Sequence, residues 1–185
     1  MQKIVIVGIL ISWGSCLTVS FGQVSPPCGQ DQTKEIYDST SNNYHHYLVS
    51  FRLGSVEELS DWSREEIFEL WRKDIQLVHP ALRKYKGPLV PCKLIHVKIG
   101  PIRKNPIVTE VMLEQATLVN YSLPGHFLHP GMVERRLELR DGAYWIVTES
   151  WGEGRWPRTN ERQSEKVWAP LNEKFQALLK AQSIR

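Results

Sequence analysis

The chain has 185 residues, 42% of them hydrophobic, which is ample for one core and short for two domains. Its formal net charge of +3 is mild and does not by itself indicate a nucleic-acid partner. There is no internal repeat, phosphate-loop glycine motif, Gly-x-Ser-x-Gly, zinc-finger spacing or dinucleotide fingerprint, so the sequence points to no cofactor.

Residues 1–22 have the pattern of a secretory signal. Lys3 is the positive start, Ile4 to Ile11 form a short apolar run, and Ser20 and Gly22 are small residues before a cleavage at Gln23. The run is too short for an ordinary membrane span, so no transmembrane segment follows signal removal. Cys16 offers a lipoprotein site as the alternative, poorly served by Trp13. The implied location is secreted or periplasmic. There Cys28 and Cys92, the two cysteines left, are expected to form one disulfide.

Residues 23–44 are polar, with Pro26-Pro27 and a Ser/Asn cluster, and predict an irregular arm before a single domain over 45–185. Tyr47, Val49, Phe51 and Leu53 alternate, so 45–53 is a strand. His45 and His46 open it, one pointing to each face, and plain solvent exposure is expected for them. Ser55–Glu58 and Ser63–Glu66 both have capping-box spacing. Ile67, Leu70, Trp71, Ile75 and Val78 then repeat at helical spacing, predicting one amphipathic helix that ends near His79 because of Pro80. Trp62 and Trp71 are expected in the core. Arg83-Lys84-Tyr85-Lys86 is a short basic run, either phosphate-facing or a solvated turn.

Residues 94–99 read as a strand, 102–106 as a loop, and 107–121 as one further strand. Asn120-Tyr121-Ser122 is a glycosylation sequon at Asn120, relevant to a eukaryotic source. Leu123 to Gly131 has Pro-Gly at both ends, a turn-rich loop carrying His126 and His129. Two histidines do not make a metal site, which needs three or four ligands, so no metal is expected.

Asp141-Gly142 between two alternating runs predicts a two-residue type I′ hairpin, pairing Leu139 with Tyr144 and Glu134 with Glu149. Alternation puts Arg135 on the mostly apolar face, where a charge needs a partner. Glu134 opposite Glu149 implies a bridging cation, a ligand or a raised pKa; the alternative is that Arg136 neutralises both. Arg155, Trp156 and Arg158 follow two glycines and form either a ligand rim or an aromatic plug. Pro170 to Gln182, with Leu171, Phe175, Leu178 and Leu179, is an amphipathic helix. The fold class expected is α+β, a small antiparallel sheet packed against two amphipathic helices.

The phrase from Asn120 to Gly131, with Val133, Arg135, Gly152-Glu153-Gly154, Asn160 and Trp168, resembles a module near the C-termini of Rhs-like and haemagglutinin-like bacterial polymorphic toxins. The likeness spans about the last third of the chain and implies a secreted, toxin-like effector. Residue chemistry adds the form such activity would take. His126 and His129 would share acid–base work in metal-independent phosphodiester cleavage, Arg135 would stabilise the anion, and Glu134 or Glu149 would orient a histidine. The competing expectation is a non-enzymatic binding module for a glycan or a host protein, with Trp145, Trp151, Arg155 and Trp156 on a Trp-rich face completed by Trp168. The partner is thus a nucleic acid, a glycan or a protein surface.

Overall fold

A computed structural model describes residue 28 and residues 36–80, 87–99 and 102–183. The apolar leader, most of the arm and the basic run at 83–86 lie outside the described residues.

Six strands form one antiparallel sheet: β1 (Tyr44–Ser55), β2 (Ile95–Ile99), β3 (Ile102–Met112), β4 (Thr117–Ser122), β5 (Gly131–Arg140) and β6 (Ala143–Glu153). Their order is β1-β6-β5-β4-β3-β2, so β2 to β6 form a meander and β1 closes onto β6. Between β1 and β2, the sheet's two edge strands, the chain forms helices α1 (Arg64–Lys73) and α2 (Ile75–Val78). The long helix α3 (Pro157–Ser183) follows β6. The α+β class is therefore as expected, with three helices rather than two among the described residues.

Side-chain alternation gives the sheet two unlike faces. The inner face carries Phe51, Leu53, Leu118, Leu137 and Ile146 and packs with Trp71, Phe175 and Leu179 from the helices into the main core. The outer face carries a smaller cluster of Val108, Val119, Tyr121, Met132 and Trp151, covered by Tyr37. Cys28 and Cys92 are joined in a disulfide that ties Cys28 to the segment before β2, with Cα atoms 5.2 Å apart. Among the described residues, no helix is long and apolar enough to cross a membrane.

The hairpin register is the expected one, with Leu139 opposite Tyr144 and Glu134 opposite Glu149. Asp141 and Gly142 take φ of 50° and 68°, the left-handed pair that a type I′ turn requires. The Ser63–Glu66 box caps α1. The Ser55–Glu58 box is also made, by Glu58 N–H to Ser55 Oγ at 3.0 Å and Ser55 N–H to Glu58 Oε2 at 2.6 Å, but it closes a run of turns rather than a helix.

Four expectations need correction. Asp74 divides the predicted single helix: it leaves helical geometry at φ −119° and ψ 105°, ends α1 and caps α2 through Gln76 N–H. Residues 102–106 are strand, since β3 pairs with β2 through Asn105 and Pro106. The stretch 107–121 is two strands, turned at 113–116 by Ala116 at φ 49°. Helix α3 begins at Pro157, not Pro170; Pro suits a helix's first position, and Pro170 lies within the helix. Its buried stripe is Ser164, Trp168, Asn172, Phe175 and Leu179, spaced at one helical turn.

Candidate functional site

The loop between β4 and β5 builds the site. His126 N–H donates to Leu123 O at 2.9 Å and His129 N–H to His126 O at 3.1 Å, two tight turns. Asn105 Oδ1, on β3, accepts from Phe127 N–H at 3.3 Å, and Ser122 Oγ–H donates to Gly131 O at 2.9 Å. The His129–Pro130 peptide is cis. Gly152 in β6 and Gly154 just after it let this loop lie flat on the strand. A Cβ on Gly152 would come within 2.9 Å of Gly131 Cα and Pro130 O, and one on Gly154 within 2.9 Å of Leu128 Cα.

Beneath the loop is a cavity of about 330 Å³. Its walls are the inner face of the sheet, the His79-Pro80 exit of α2, and the first half of α3 through Asn160, Val167 and Trp168. The lining is mostly apolar, with Ile107, Phe127, Leu128 and Val133. Three histidines break it. His126 is 9% exposed, and burial, helped by the charge of His129, pushes its pKa down to about 4. Its Nδ1 accepts from Leu128 N–H at 3.0 Å, so the neutral ring carries its proton on Nε2. His79 is pushed down to about 3, first by burial and then by His126 and Arg135. His45 is 1% exposed and lowered by burial, and its Nδ1 has no hydrogen-bond partner. All three are neutral near pH 7.

Asn120 adds a fixed donor. Its Oδ1 accepts from Thr109 Oγ1–H at 2.7 Å, which orients the amide, and its buried Nδ2 has no partner. Tyr47 also lines the cavity, and its hydroxyl accepts from Trp168 Nε1–H at 3.0 Å.

Arg135 lies one layer behind this lining. It is fully buried, with its guanidinium 4.7 Å from the ring centroids of both Trp71 and Trp168. It donates to Leu77 O at 3.0 Å, Val78 O at 2.8 Å, Asn172 Oδ1 at 2.6 Å and Thr148 Oγ1 at 3.3 Å. Among the described residues, no carboxylate forms an ion pair with it. Burial pushes its pKa down to about 9, so it stays cationic at neutral pH.

The four residues expected to share catalysis do not converge. His126 lines the cavity. His129 donates from Nδ1 to Ser122 O at 2.8 Å, a bond internal to the loop. Arg135 spends its donors on carbonyls, an amide and a hydroxyl. Glu149 is on the opposite face of the sheet, where alternation must put it when Thr148 faces inward. There Arg136 Nη1 bridges Glu134 at 2.7 Å and Glu149 at 3.1 Å, and His46 Nε2–H donates to Glu149 at 3.0 Å. Arg136 thus resolves the facing carboxylates.

The expected Trp-rich face does not form either. Trp145 and Trp151 share the outer face but lie six residues apart along β6, roughly 20 Å. Trp151 is buried and stacked on His46, while Arg140 covers Trp145 at 4.9 Å. Trp168 is on the inner side. Trp156 is 64% exposed beside exposed Arg155, with its ring centroid 6.1 Å from that of Phe127. Asn120 is buried under the loop, so the folded chain does not present the surface acceptor that the sequon predicts.

His45, His79, Tyr47 and Asn120 were not expected in the site. His45 shares the inward phase of Tyr47 and Phe51, a signal present in the alternation. His79 carried no such signal, because it sits at a helix exit whose direction only packing decides. Among the described residues there is no cluster of histidine, cysteine and carboxylate fit to hold a metal.

No protein-family model matches the chain, and no curated protein matches it. Among solved structures it is similar to protein MLL2253 from Mesorhizobium loti, with a TM-score of 0.53, 13% identity, and coverage of 74% of this chain and 98% of that one. Norcoclaurine synthase from Thalictrum flavum aligns with a TM-score of 0.46 and 12% identity over 97% of this chain and 98% of that one. Ara h 8.0201 aligns with a TM-score of 0.45 and 10% identity over 75% and 99%. The first likeness agrees with the class of fold, an α+β arrangement in which a sheet packs against a long helix. At 13% identity it conveys the fold alone.

Proposed function

We propose that this protein binds a small, mostly apolar molecule in the cavity beneath the loop between β4 and β5. One observation carries the reading: an apolar hollow of about 330 Å³ holds a buried amide nitrogen and a buried imidazole nitrogen with no partner. Unpaired buried polar atoms are costly, and a ligand that meets them recovers that cost. The volume is at the lower end for small-molecule sites. The apolar leader and the Cys28–Cys92 disulfide support an exported binding protein.

A toxin-like nuclease acting through His126, His129, Arg135 and Glu149 is the less supported reading, because the sheet separates Glu149 from His126 and Arg135, and His129 is bonded within its own loop. A glycan surface built on Trp145, Trp151, Arg155 and Trp156 is likewise less supported, since Trp151 is buried, Arg140 covers Trp145 and the four side chains form no common surface.

The test is titration with a neutral fluorescent naphthylamine. Saturable enhancement at one site per chain, weakened by Val133→Phe, which fills the cavity, is the expected result. No enhancement, and no heat on titration with apolar alcohols, would remove the proposal.

A further inference from the structure

Resting on that reading, we infer that the ligand carries an oxygen anion, a carboxylate or its equivalent, and seats it against Asn120 and His126 with its apolar body along Phe127, Leu128 and Trp168.

Two donors have their polarity fixed from behind. Thr109 Oγ1–H occupies the Asn120 oxygen, so the amide can present only N–H to the cavity. Leu128 N–H occupies His126 Nδ1, so that ring presents Nε2–H. A ligand group that meets both must therefore be an acceptor.

The local charge then selects among acceptors. Among the described residues, no aspartate or glutamate lines the cavity. Arg135 sits behind Trp168, a lining residue, with its charge unmatched by a carboxylate. Lys98 adds a second cation, at an exposed position of the lining. Glu161 acts on His45 and accepts from His46 N–H at 3.2 Å, at the β1 side, and does not line the cavity. A buried cation with only dipoles around it leaves a positive potential, and low dielectric strengthens it. An anionic oxygen gains from that potential, a neutral hydroxyl gains little, and an ammonium is repelled. The desolvation of the anion is offset only if the donors and Arg135 act together.

The experiment displaces the bound neutral naphthylamine from the oxidised protein with decanoate, decanol and decylamine at pH 7.5. These share one apolar body and differ in the head. Decanoate should act at about tenfold lower concentration than decanol or less, the effect of one hydrogen bond to a charged group, and decylamine should be weakest. Asn120→Leu should bring decanoate to the level of decanol, both read against that variant's own probe affinity; His126→Phe is the second variant should the first fail to fold. If decanol displaces the probe as well as decanoate does from the unaltered protein, the anionic head is refuted and the cavity reading stands. If neither the probe nor any competitor binds, both fall.

Discussion

Asn172 Oδ1, on α3, accepts from Arg135 Nη2 on β5 at 2.6 Å, and this bond crosses the core from helix to sheet. Both residues are buried, at 1% and 0% exposure. Asn172→Ala leaves a charged donor unpaired where water does not reach, which costs about 2–4 kcal/mol. Thermal unfolding should show a midpoint lowered by about 5–10 °C. A midpoint within a degree of the unaltered protein would mean that Arg135 is held well enough by Leu77, Val78 and Thr148 alone.

The cavity histidines make the fold acid-sensitive. Above pH 6.5, their ordinary value, histidines are neutral in both states. Below it the unfolded chain takes protons, while His126 stays neutral down to about 4 and His79 to about 3. The unfolded state then binds more protons, so stability falls as pH falls through this window. For His126 the loss from pH 6.5 to 5 is about 2 kcal/mol. Urea unfolding at these two pH values measures it, and His126→Gln should remove that share. The comparison stops at pH 5 because Glu58 and Glu66, held below the usual range by Ser55 and Ser63, titrate lower and act in the same direction.

The disulfide closes a long loop. Cys28 and Cys92 are 64 residues apart in sequence, and the chain-entropy model assigns such a bridge about 4 kcal/mol. It also holds Cys28 in the outer-face cluster that Tyr37 covers. Cys28→Ser with Cys92→Ser should lower the denaturation midpoint by that order and raise protease cleavage in the arm. Reduction of the unaltered protein should match the double variant.

Much of the sheet was legible in the sequence because alternation and Asp141-Gly142 specify it locally. The hairpin register, the inward Arg135 and the pairing of Glu134 with Glu149 all follow from one turn. The break at 113–116 was not legible, since Leu113-Glu114-Gln115-Ala116 contains no glycine, proline or asparagine to mark it. Nor was the true start of α3, where Pro170 reads as a helix beginning although it lies inside. In the site, His126 and Arg135 drew attention by residue type, but their roles come from partners far along the chain: Leu77, Val78 and Asn172 for the arginine. Asn120 was read through its sequon and proved to be a buried donor, a difference that only pairing with Thr109 across β3 and β4 creates.

Gly152 in β6 and Gly154 after it position the loop and should tolerate no side chain. A Cβ at Gly152 would meet His45 Cε1 at 2.8 Å as well as the backbone of Gly131 and Pro130, neither of which can rotate away. Gly152→Ala should cost about 1–3 kcal/mol and lower probe affinity together. Retained affinity at reduced stability would show that the loop can lift without closing the cavity.

Asn172→Asp separates the charge of Arg135 from its hydrogen bonds. The side chain keeps its shape and its acceptor, so the fold should be retained, and it places a carboxylate against the guanidinium. It does not line the cavity. If the unmatched charge of Arg135 favours an anionic ligand, pairing it must weaken decanoate and leave decanol unchanged, so the ratio of the two should fall by about tenfold, in line with the coupling of a close charge pair. The neutral naphthylamine should bind as before, which distinguishes loss of charge from loss of shape. A ratio that does not move would remove Arg135 from the recognition and leave Asn120 and His126 as its source.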